Sequence, residues 1–93
     1  MFTQIPVDLR SVEKAEIDKE ILRTAIIAEL DAINIYEQMA AMTKDENLKK
    51  VLLDVAQEEK THVGEFQTML LKKDKEQVDE LAHGEKEVRE LIE

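Results

Sequence analysis

Three residues of this chain stand where their chemistry demands an explanation: Glu29, Glu59 and His62. Leu48, Leu52, Val55, Glu59, His62, Phe66 and Met69 recur at alternating spacings of four and three, which is one face of an α-helix. Every member is apolar except Glu59 and His62. A second line, Ile21, Ala25, Glu29, Ala32 (or Ile33), Tyr36 and Met39, carries one carboxylate, Glu29. A carboxylate on a packing stripe is costly unless something compensates it, and neither line holds a Lys or Arg. A cation is the compensation these residue types suit. Carboxylate oxygens with one imidazole favour iron or manganese, and less selectively zinc.

The elements that must position this trio are helices. Ala, Glu, Lys, Leu and Ile dominate, while two Gly and one Pro leave little punctuation for strands and turns. The expected fold is all-α: an antiparallel two-helix hairpin with a short C-terminal helix, dimerising into a four-helix bundle. Its divisions are an arm over 1–13 held extended by Pro6, helix 1 over about 14–42, helix 2 over about 46–72 and helix 3 over about 75–92, the whole forming one half-bundle domain. Ser11 is a possible N-cap for helix 1. Thr43 with Glu46 fits a capping box at the turn, and Asp45 competes as N-cap. Helix 3 is expected to be interrupted near His83 and Gly84, where glycine often ends a helix.

Register ties the two stripes together. Glu29 and Glu59 lie thirty residues apart, and their midpoint is Lys44, in the expected turn. Each is then roughly 20 Å from the hairpin tip at ~1.5 Å rise per residue, so the two stand level. The Glu59-x-x-His62 spacing sets carboxylate and imidazole side by side on one helix face. A lone Glu-x-x-His arises often in acidic helices; one in register with a single Glu on the facing helix is much rarer.

Composition excludes much else. Without cysteine there are no disulfides, thiolate zinc sites, Fe–S clusters or thiol nucleophiles. A formal charge of −9 argues against nucleic acid as a partner and is compatible with attracting cations. Met1 to Pro6 has neither the basic nor the apolar region of a secretory leader, and no uncharged run approaches the ~20 residues of a membrane span. A soluble, cytoplasmic protein is expected. Ninety-three residues make one small domain, a size that often needs a partner for firm stability. From Ala25 to Tyr36 helix 1 is apolar on nearly every side, more than a two-helix hairpin covers.

The ligand count leads the same way. Di-metal carboxylate bundles of the ferritin type take one Glu from each of two helices and a Glu-x-x-His from each of two others. This chain holds one of each, so a two-fold pair of hairpins would complete the set.

The stretch Ala28-Glu29-Leu30-Asp31-Ala32-Ile33-Asn34-Ile35-Tyr36-Glu37-Gln38, followed by Glu58-Glu59-Lys60-Thr61-His62, resembles the encapsulated ferritins, short rubrerythrin-related proteins packaged in encapsulin nanocompartments. The resemblance spans roughly Ile21 to Leu71. It implies a protomer that dimerises around a di-iron ferroxidase site, dimers assembled into a ring that is typically a decamer, and iron mineralised in the encapsulin lumen. Glu29, Glu59 and His62 match the family's ligands and Tyr36 a tyrosine beside the site. Asp31 matches a second acidic residue that helps capture incoming metal. The chain departs from the pattern at Ile35, where an aromatic is frequent, and it lacks the C-terminal docking peptide of free cargo. Some members are instead fused to the shell protein.

The function expected is oxidation of Fe(II) to Fe(III) for storage inside an encapsulin compartment. The alternatives are a rubrerythrin-like peroxide-reducing di-iron protein, against which the stripe offers no third Glu, and a non-catalytic helical metal-binding assembly module. Met39, Met42 and Met69 are expected as core filler, and Glu37, Glu58 and His83 as solvated surface.

Overall fold

The chain reverses at Asp45. Its side chain accepts hydrogen bonds from the backbone N–H groups of Asn47 (2.9 Å) and Leu48 (3.1 Å), satisfying two of the donors that a helix start leaves open. Asp45 is therefore the N-cap, and Thr43 is used differently: its hydroxyl accepts from the Asp45 N–H at 3.1 Å. The helices so divided are α1, Ile17–Met42, and α2, Glu46–Lys73. The computed structural model describes residues 8–93, so Pro6 and most of the arm lie outside the described residues. Within the remainder, Leu9–Ser11 form one 3₁₀ turn. Ser11 does not cap α1, because its hydroxyl donates back to the Asp8 carbonyl at 2.8 Å. Glu16 precedes α1 without a side-chain cap, and Asp18 and Glu20 in its first turn offset the positive end of the dipole.

The seam between α1 and α2 is narrow. Its buried residues are Ile33 and Ala40 on α1 and Ala56 and Leu70 on α2, at separations of seven and fourteen that match coiled-coil-like packing. Large side chains beyond the seam stay exposed, among them Ile21, Leu30, Leu48 and Val51. Of the three methionines expected as core filler, Met39 is half-buried, while Met42 is 80% exposed and Met69 about half. A hairpin has only one seam, and the remaining apolar flanks face outward.

α3, Lys75–Ile92, leaves the hairpin sideways, and the molecule measures 46 × 43 × 20 Å. The expected interruption at His83 and Gly84 does not occur. No glycine among the described residues adopts a positive φ, the conformation a glycine helix stop requires. Of the pairs one turn apart in this helix, His83–Glu87 spans the position, and Glu85–Arg89 and Lys86–Glu90 follow directly after it. Each contributes a few tenths of a kcal/mol, against a glycine cost of about 1 kcal/mol. The fold is all-helical, with no strand among the described residues and no helix long and apolar enough to cross a membrane.

Candidate metal centre

Glu29 lies midway along α1, and Glu59 and His62 midway along α2, far from any fraying end. Their register is that of an antiparallel hairpin with a three-residue turn. The structure brings the three together: one ligand atom from each lies within 4.8 Å of the others. His62 Nδ1 stands 3.3 Å from Glu29 Oε2 and 3.5 Å from Glu59 Oε2. The Glu29 and Glu59 side chains are 18% and 20% exposed, and the imidazole 42%.

This arrangement suits a cation better than a proton. A single Nδ1 proton can be donated to only one carboxylate at a time, and Nδ1 faces both. A cation placed among the three would engage both carboxylates and the imidazole at once. Lys60, beside Glu59 in sequence, does not supply the charge. It lies about 100° round the helix and pairs at 3.0 Å with Glu37, which is exposed as expected.

The stripe is wetter than its sequence suggests. The seam centres on Ala56 and Leu70, so the line bearing Glu59 and His62 forms its margin, and Leu48 and Met69 at its ends are about half exposed. Of the trio, His62 is the most accessible, standing on that margin.

Other singled-out residues fall outside the trio. Asp31 is half-buried two residues from Glu29, a step of about 200° that turns it away. Tyr36 is half-buried two turns along the Glu29 line. Glu58 is exposed. His83 is exposed on α3, with Nδ1 3.3 Å from Glu80 and Nε2 3.2 Å from Glu87, so its nitrogens point to different carboxylates and do not converge.

One pair escaped sequence reasoning. Asp74, between α2 and α3, is the buried charged residue among the described residues; Arg23 of α1 donates to its Oδ2 at 2.9 Å. A signal was present in Asp74-x-x-Gln77, an N-cap spacing, and the Gln77 N–H does donate to Asp74 Oδ1 at 3.0 Å. Fifty-one residues separate Arg23 from Asp74, and nothing local links them.

The chain is similar to known proteins. The rubrerythrin family model matches residues 20–93, a span that contains Glu29, Glu59 and His62. The chain is 68% identical over 72 residues to a ferritin-like–encapsulin shell fusion protein of Pyrococcus furiosus. That stretch is 77% of this chain and 21% of the relative, so the chain spans about a fifth of that protein's length. The crystal structure of the encapsulated ferritin domain from Pyrococcus furiosus superposes with a TM-score of 0.84 at 58% identity, covering 99% of this chain and 92% of the other.

Proposed function

The chain belongs to the rubrerythrin family of ferritin-like proteins, and from that premise we propose that it is a ferroxidase whose site is completed by a second copy. The observation that carries the reading is the trio itself: two carboxylates and one imidazole converging within 4.8 Å on the margin of an open apolar flank. Three donors are too few for two metal ions. Two hairpins related by a two-fold axis bring four carboxylates and two imidazoles together, and the exposed flank residues supply the apolar contact between them.

Iron(II) is the substrate. Glu29 would serve as a terminal or bridging carboxylate, Glu59 would bridge or chelate, and His62 would be a terminal nitrogen ligand. Each iron(II) gives up one electron; dioxygen or peroxide accepts them and is reduced with protons from solvent. The side chains fix geometry and charge, and the redox change belongs to the iron. Asp31 and Tyr36 take supporting parts, Asp31 in capturing incoming cations and Tyr36 beside the site. The relative in which such a domain is joined to an encapsulin shell supports an encapsulin lumen as the place where iron(III) is stored; the gathering of dimers into a ring rests on the family resemblance alone.

Aerobic oxidation of Fe(II), followed optically, tests the reading. The Glu59→Ala, His62→Ala double variant is expected to oxidise iron no faster than buffer alone; a native rate in that variant defeats the proposal. Size-exclusion chromatography with and without Fe(II) tests the shared site, since a stable metal-loaded monomer is incompatible with it. Peroxide outcompeting dioxygen by a large factor would transfer the assignment to a peroxide-reducing enzyme.

A further inference from the structure

In α3 one imidazole is held between two carboxylates that stand on opposite sides of a glycine. His83 Nδ1 lies 3.3 Å from Glu80 and its Nε2 3.2 Å from Glu87, and Gly84 falls between those two acids along the helix. The ring thus ties the turn before the glycine to the turn after it. Such local ties matter here because α3 has little else to hold it. Every residue past Gln77 is exposed, and a helix of this length is marginal without tertiary packing. The segment 85–92 is too short to nucleate a helix alone. It must propagate from the root, through the residue of lowest helix propensity after proline.

We propose that His83 is a proton-controlled splint for α3: the charged imidazole carries the helix through Gly84, and with the ring neutral the segment 85–92 opens more readily. A neutral imidazole has one N–H, so its bare nitrogen turns a lone pair toward a carboxylate. Only the imidazolium presents a donor to both Glu80 and Glu87. Imidazoles change charge between about pH 5 and 8, where carboxylates stay ionised. The neighbouring charges on α3 are engaged with other partners: Asp79 with Lys75, Lys86 with Glu90 at 3.8 Å, and Arg89 with Glu85 at 3.5 Å. Among the described residues no ion pair joins His83 to α1 or α2. Two helical ion pairs of this kind change the opening equilibrium by roughly two- to fivefold. The last ~12 Å of α3, at ~1.5 Å rise per residue, is thus firmest in mild acid and loosens as pH rises.

Nuclear magnetic resonance of the full chain tests this through the ¹³Cα shifts of residues 85–92 between pH 8 and pH 5.5 at constant salt. In the parent these shifts are expected to move toward helical values as pH falls, in step with the titration of the His83 ring, while those of 75–82 move less. His83→Gln keeps a polar side chain and should abolish the response. Glu87→Gln removes the partner beyond the glycine and should shrink the response about twofold. His62, the other histidine, is retained in both variants, and the signals of α1 and α2 verify that the hairpin is unchanged. Shifts in the parent that ignore pH, a response that survives in His83→Gln, or one undiminished in Glu87→Gln overturns the splint.

Discussion

His62 reaches across the hairpin: its Nδ1 lies as close to Glu29 on the opposite helix (3.3 Å) as to Glu59 on its own (3.5 Å). The imidazole is the hub of the trio, and the two carboxylates meet through it. Removing it should hurt both helices' contributions together.

His62→Ala and Glu29→Gln should each weaken Fe(II) binding by a factor on the order of ten to a hundred or more, the range in which even outer partners of a metal site act. Anaerobic titration measures it. Asp31→Asn, turned about 200° from the trio, should leave the equilibrium affinity unchanged and slow metal uptake at low salt, where steering by charge is strongest. An equal loss of affinity in Asp31→Asn would make that residue a direct ligand.

Ala56 is 1% exposed on the α1–α2 seam. Leucine there has no space without moving a helix, and such overpacking costs about 1–3 kcal/mol. For a domain of this size each kcal/mol corresponds to roughly 4–8 °C in Tm. A thermal melt of Ala56→Leu at or above the parent's midpoint contradicts this packing.

Acid should weaken the joint at the base of α3. The folded Asp74 carboxyl titrates below its ordinary value, first through the Gln77 N–H and then through Arg23. The unfolded state therefore binds the proton more readily, and the stabilisation is fully present above the unfolded value of about 3.9. It is lost as pH falls through the lower, folded value. Urea midpoints of the parent and Asp74→Asn from pH 7 to pH 2 should differ most at the neutral end and converge in acid; a constant gap removes the titration from the explanation.

Gly64 interrupts α2 without a reason inside its own chain. A Cβ built there meets nothing within 4 Å, and its φ is not positive. Gly64→Ala should stabilise the helix by about 1 kcal/mol, read from urea unfolding. A lowered midpoint would mean that another chain lies close against this position.

The sequence made the hairpin and its register legible for simple reasons. Glu29 and Glu59 are equidistant from Lys44, and helical rise converts that symmetry into height. Periodicity named the stripe but not how wet it is, because burial depends on which neighbouring line the facing helix chooses; here it chose Ala56 and Leu70. Gly84 misled because an intrinsic cost of about 1 kcal/mol does not by itself end a helix, and the positive φ that a glycine stop requires is absent here. Arg23 and Asp74 were invisible as a pair, since long-range ion pairs leave no spacing to read.

The trio on the margin of the seam also has a kinetic consequence. Where each chain brings half of the reacting centre, the oxidation rate in dilute solution should climb with the square of protein concentration, becoming first order only once chains are mostly paired. A dilution series would read that change of order directly. Crowding many copies into a small volume would then switch the chemistry on by mass action alone, with no effector needed.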